Sequence, residues 1–273
     1  MAENREYKSD VFSMLMEDKA NALQVYNALN GSSYDDPEMV ELVNLENIIS
    51  LSIRNDAAFI VGASINIYEH QSSYNPNMPL RSLIYFATIM NKRLKKRDIL
   101  DSRPVKLPTP HFAVFYNGTN KRPEKEILRL SDLYEKSADT FELELTCTVY
   151  NINPGVDKEI LEKCSILNEY TQFVEAVRKN ESEGIDNPIE KAIEYCISNH
   201  ILEKFLRERG KEVYNAMTLD MTFERRQEIW QEEKEELIRS AEAANKRAEA
   251  AEKEISEAHK RIAELEELLA SKQ

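Results

Sequence analysis

The chain has 273 residues, 42% of them hydrophobic and 31% charged, and a formal net charge of −13 at pH 7. That apolar fraction supports a real core, and the excess of acid, concentrated beyond residue 155, argues against indiscriminate coating of nucleic acid. Cys147, Cys164 and Cys196 form no C-x-x-C pair, the opening MAENREYKSD lacks a signal-peptide core, and no apolar run approaches the ~18 residues of a membrane span, so a cytoplasmic chain with reduced thiols and no membrane contact is expected.

Taken in order, Phe12, Leu15, Leu23, Tyr26 and Leu29 recur at helical spacing and predict one helix from Ser9 to Asn30, stopped by Asn30-Gly31-Ser32. After a polar stretch, Leu42 to Ile53 predicts a first strand. Two short alternating runs then flank Gly62-Ala63, the pattern of a two-residue type II′ hairpin. Counting outward from that turn opposes Val61 to Ser64, Ile60 to Ile65, Ala58 to Ile67 and, at the open end, Asp56 to Glu69.

Period-two alternation puts Asp56, Ala58 and Ile60 on one face with Ile65, Ile67, Glu69 and Gln71. Directly opposed carboxylates repel unless neutralised, which a divalent cation achieves; Mg²⁺ takes hard oxygen ligands, so Asp56 and Glu69 form a candidate half-site with Gln71 in reach. The alternative is an ordinary hairpin with solvated acidic ends. His70 points to the opposite face and stays outside this set.

Pro79 opens a second helix, expected to run to Arg97 with Leu80, Leu83, Ile84, Ala87, Met90 and Leu94 buried, and with Arg81, Tyr85, Thr88, Lys92 and Lys95 on the other side. Lys92, Arg93, Lys95, Lys96 and Arg97 form the densest basic cluster, suited to the helix dipole and, if near the carboxylates, to DNA phosphates. Arg81 could hold a phosphate or form a salt bridge. His111 to Asn117 is apolar on both faces, the mark of a central strand, whereas Phe141 to Tyr150 alternates like a strand near an edge.

Beyond Pro154-Gly155 the period becomes helical, with one helix through Ile160 to Val177 and another from Pro188 to Gly210. From about Thr222 a heptad pattern, with Trp230, Leu237 and Leu265 at d and Ile255, Ile262 and Leu269 at a, predicts a coiled coil and hence a homo-oligomer, or else a single solvated helix.

Asp56, then Glu69-x-Gln71, then a helix resembles the PD-(D/E)XK nuclease core with Gln in place of Lys. More narrowly, Asn55-Asp56, Glu69-His70-Gln71-Ser72, Asn77-Met78-Pro79-Leu80-Arg81, Val114-Phe115-Tyr116-Asn117-Gly118 and Leu130-Ser131-Asp132 resemble the Rpn family of recombination-promoting nucleases and transposases, across most of residues 8–220. The resemblance implies an α/β fold with a restriction-endonuclease-like core, a mixed sheet flanked by helices, over residues 1–155. A helical subdomain over 156–221 and a coiled-coil tail over 222–273 would follow. It implies a DNA endonuclease using Mg²⁺ or Mn²⁺ held by Asp56, Glu69 and a third carboxylate from the first helix, Asp10 in preference to Glu17. Gln71 would orient the attacking water or the scissile phosphate. The competing expectation is a catalytically silent, oligomerising interaction protein on the same core.

Overall fold

The computed structural model describes residues 7–43, 56–95, 100 and 102–218, with the side chains of residues 7–10, 56 and 218 outside the description. The chain is α/β. Helices α1 (Tyr7–Met16) and α2 (Lys19–Asn30) precede strands β1 (Val40–Val43), β2 (Asp56–Val61) and β3 (Ser64–Gln71). Helix α3 (Met78–Arg93) leads to β4 (Thr109–Tyr116), β5 (Lys125–Arg129) and β6 (Thr146–Asn151), and α4 (Lys158–Lys163), α5 (Ser165–Ser182), α6 (Pro188–Ser198) and α7 (Glu203–Thr218) follow.

The six strands form one mixed sheet in the order β1-β2-β3-β4-β6-β5. The first three are an antiparallel meander, β4 is parallel to both β3 and β6, and β5 closes the far edge antiparallel to β6. The hairpin has the expected register throughout, from Val61 opposite Ser64 to Asp56 opposite Glu69. Gly62 supplies the turn with φ of 58°, a conformation open to glycine without steric cost.

Both faces of the sheet are covered. On one, α3 lays Tyr85, Ile89 and Met90 against Ala58, Ile60, Ile65 and Ile67. On the other, Phe59, Tyr68 and Phe115 pack with Phe12 of α1 and with Tyr170 and Phe173 of α5 in the larger core, which also takes in Cys196 of α6 and Val213 of α7. β4 lies between β3 and β6, and its last four residues are all buried, as a central strand requires.

Several elements differ from expectation for identifiable local reasons. The first predicted helix is two, because the Asp18 carboxylate accepts the N–H groups of Ala20 and Asn21 and so starts α2 afresh. The strand expected over Phe141–Tyr150 begins only at Thr146; it lies next to the edge, and the edge itself belongs to β5, whose short Lys-Glu-Ile-Leu-Arg run carries little periodic signal. The helix expected through Ile160–Val177 breaks at Cys164, whose backbone is extended. That from Pro188 to Gly210 breaks at Asn199–Leu202, where His200 and Leu202 take positive φ. β1 is shorter and earlier than expected, and most of the predicted Leu42–Ile53 strand, like the heptad segment from Thr222, lies outside the described residues.

Helix α3 is rotated relative to its hydrophobic pattern. Met78, Ser82, Tyr85 and Ile89 face inward, whereas Leu80 and Ile84 are 45% and 44% exposed. The rotation follows polar contacts that apolar counting cannot see. Ser82 Oγ lies 3.2 Å from Cys147 Sγ beneath the helix, and Arg81 is brought over the strand ends. The helix also stops at Arg93, so the basic cluster is only partly helical.

Candidate active site

The meander and the β3–α3 connection build the site. Pairing of β2 with β3 sets Asp56 directly across from Glu69, and alternation puts Glu69 and Gln71 on the α3 face near the carboxyl ends of the parallel strands β3 and β4. Open α/β sheets bind ligands at that edge. Glu69 is 5% exposed, and burying a carboxylate is costly unless it is paired. Arg81, one turn into α3, provides the pairing, with Nη1 2.8 Å from Glu69 Oε1.

Arg81 is itself held in place. Its Nε and Nη2 donate to the Tyr85 hydroxyl at 3.1 and 2.7 Å. Gln71, also 5% exposed, donates from Nε2 to Glu69 Oε1 at 3.3 Å, and its Oε1 accepts the Asn75 N–H at 3.2 Å. Since a backbone N–H can only donate, the amide oxygen must face Asn75, which leaves the amide nitrogen towards the carboxylate. The negative charge is felt two strands away. Burial pushes the Cys147 thiol up to about 11, a shift opposed by its hydrogen bond with Ser82 and reinforced by Glu69.

His70 lies on the other face, as alternation demands. It is buried against Phe12 and Tyr170, with Nε2 3.1 Å from the Tyr170 hydroxyl. Helix α1 belongs to that same layer, so Asp10 reaches the vicinity of the sheet from the side opposite α3; its side chain lies outside the description. Glu17 is elsewhere, paired with Arg209 of α7 at 2.6 Å on the surface.

The expected phosphate-binding cluster sits far from these groups. Arg93 is twelve residues along α3 from Arg81, roughly 18 Å at helical rise, and it pairs with Glu41 of β1 at 2.6 Å. Glu41 lies opposite Ile60, beside the Gly62 turn and thus at the other end of the sheet. Lys92 and Lys95 are exposed at that end, while Lys96 and Arg97 lie outside the described residues. Of the basic candidates among the described residues, only Arg81 is brought to Glu69.

Among the described residues no group of three or more His, Cys, Asp or Glu side chains converges to hold a metal. Glu69 is nonetheless a hard oxygen donor of the type Mg²⁺ prefers, and Arg81 shows that a positive charge is favourable beside it. A cation bound through Oε1 would have to exchange with the guanidinium. No helix among the described residues is long and apolar enough to cross a membrane. No family model matches the chain, and no curated protein or solved structure does either.

Proposed function

We propose that the chain is a metal-dependent DNA endonuclease on a PD-(D/E)XK core, acting in the cytoplasm on recombining or mobile DNA. The observation that carries the reading is the register that opposes Asp56 to Glu69, with Gln71 next on the same face and bonded to Glu69. The mixed sheet flanked by helices agrees with a core of the restriction-endonuclease type.

In this reading Asp56 and Glu69 would hold Mg²⁺ or Mn²⁺, the layer of α1 that carries Asp10 lying on the other face of the sheet from Glu69. The bound ion supplies Lewis-acid chemistry, lowering the pKa of water and offsetting charge that builds on the phosphoryl oxygens. Gln71 carries no charge, so it acts by donating a hydrogen bond from Nε2, orienting the attacking water or the scissile phosphate. Arg81 acts in two positions. It neutralises Glu69, and a guanidinium released from that pair would offer a planar fork of donors to a phosphate oxygen. The electrostatic part of the usual lysine thereby passes to a neighbouring helix.

The competing reading, a silent core in an interaction protein that oligomerises through its tail, is favoured by one observation: the Arg81 guanidinium already satisfies Glu69 Oε1. Nicking of supercoiled plasmid separates the two. The endonuclease requires Mg²⁺-dependent nicking that chelator abolishes and that Asp56→Ala lacks. Equal nicking by that variant, or none by the parent, overturns it in favour of the silent core.

A further inference from the structure

The Gln71 amide owes its orientation to a backbone N–H of the β3–α3 connection: Oε1 accepts from Asn75 at 3.2 Å, and Nε2 is thereby turned to Glu69. A bond from a loop residue fixes a side chain only as well as the loop itself is fixed. Asn75 Oδ1 accepts the Asn77 N–H at 2.9 Å, which shapes the turn locally without tying it to the sheet. The neighbouring residue, Tyr74, makes that tie.

The Tyr74 hydroxyl donates to Glu126 Oε1 at 3.3 Å, and the Arg122 guanidinium lies 3.6 Å over the centre of the Tyr74 ring. Arg122 Nη2 pairs in turn with the other oxygen of Glu126, and the Arg122 carbonyl accepts Asn151 Nδ2 at 2.9 Å. Ring, carboxylate and guanidinium thus form a closed cluster in which each member touches the other two. The Arg122 and Glu126 side chains are only 27% and 29% exposed, and a cation over an aromatic face gains strength as water is excluded from it.

The sheet places this cluster level with the site. Glu69 stands beside Val114, Val114 beside Val149, and Val149 beside Glu126, so the two glutamates share one row. Alternation puts Glu126 on the face of Leu128, which packs with Val114, Val149 and Met78 at the start of α3. Three strand spacings of about 4.8 Å, roughly 14 Å in all, separate the row's two acids. Tyr74 therefore fastens the connection beside Glu69 to the edge strand β5. A second tie holds the same connection: a Cβ on Gly118 would lie 2.3 Å from the Ser72 carbonyl oxygen, so the β3–α3 and β4–β5 connections touch backbone to backbone.

We propose that Tyr74, Arg122 and Glu126 are positioning residues for Gln71. Clamped between Arg122 and Glu126, Tyr74 holds the Asn75 N–H against Gln71 Oε1 and so keeps Gln71 Nε2, the donor end, at Glu69. Released from Asn75, the amide loses the bond that distinguishes its two ends, and its oxygen can turn to a carboxylate that only accepts. The part that this donor plays in cleavage rests on the nuclease reading; the orientation of the amide does not.

The test is amide NMR on the isotope-labelled full chain, with plasmid nicking measured on the same samples. The parent and Tyr74→Phe, which keeps the ring under Arg122, should share their Gln71 Nε2 and Asn75 N–H signals. Tyr74→Ala should move both signals and speed exchange of the Asn75 amide at least about tenfold. It should also lower kcat for nicking by about ten- to a hundredfold while KM for DNA stays within about twofold. Arg122→Gln, at a partly exposed position, makes the same test if Tyr74→Ala does not fold. Unmoved Gln71 and Asn75 signals in a folded variant overturn the clamp whatever the nicking rate. A lowered denaturation midpoint with both signals and kcat unchanged marks a merely structural cluster and overturns it too. Moved signals in a chain whose parent does not nick DNA keep the clamp and overturn the nuclease reading.

Discussion

Asp56 and Glu69 stand directly opposite each other across β2 and β3, at the open end of a hairpin whose turn is made at Gly62. Because the side-chain period is two, a slip of one residue would send Glu69 to the face now occupied by His70. Neighbouring residues of one strand should therefore respond oppositely to substitution. Glu69→Gln should lower Mg²⁺-dependent nicking at least about a hundredfold. His70→Gln should leave nicking within a few-fold but lower the melting temperature, since it loses the Tyr170 contact in the buried layer.

Arg81 occupies Glu69 Oε1, so in the proposed nuclease a metal ion bound through that oxygen would compete with the guanidinium. Arg81→Gln should raise the affinity for Mg²⁺, measured calorimetrically, by about tenfold, which corresponds to ~1.4 kcal/mol. Its nicking rate at saturating metal should fall, because the phosphate loses its guanidinium partner. An unchanged or weaker affinity would mean that the pair does not oppose metal binding.

The phase of α3 can be read from two isoleucines five residues apart. Ile89 is 1% exposed against the sheet and Ile84 is 44% exposed. Ile89→Ala should cost about 2–4 kcal/mol in chemical denaturation, and Ile84→Ser no more than about 0.5 kcal/mol. A reversal of that order would restore the buried face implied by Leu80, Ile84 and Ala87.

Burial pushes the thiols of Cys147, Cys164 and Cys196 up to about 11, 12 and 12. In the unfolded chain a thiol loses its proton near ~8.5, so above that pH the folded state binds more protons than the unfolded one. Stability is then fully present below pH ~8.5 and falls as pH rises towards 11, by up to ~1.4 kcal/mol per pH unit for each thiol. Denaturant midpoints measured from pH 8 to 10.5 should show this decline, and Cys196→Ala should make it shallower.

The hairpin and the placement of Glu69 and Gln71 were legible because they depend on short-range rules: a glycine-led turn and strict alternation. The central position of β4 was legible for the same kind of reason, since His111 to Asn117 shows no polar face. The orientation of α3 was not. Leu80, Leu83, Ile84 and Ala87 make the more apolar stripe, yet the helix buries Ser82 and Tyr85 instead. Its rotation answers to partners at Cys147 and Glu69, which lie 65 and 12 residues away in sequence.

The basic cluster illustrates the same division. Charge density along the chain marks Lys92 to Arg97, but a helix returning from β3 to β4 must run against the strands, and so it carries its last turn away from the edge where it began. By itself the sequence determined the turn, the strand register and the opposed positions of Asp56 and Glu69, because each follows from local backbone geometry and the period of two. Only the tertiary structure decided that Arg81 neutralises Glu69, and that Asn117 to Arg122 rather than the end of α3 borders the site, because strand order and helix direction are properties of long-range packing that no local pattern encodes.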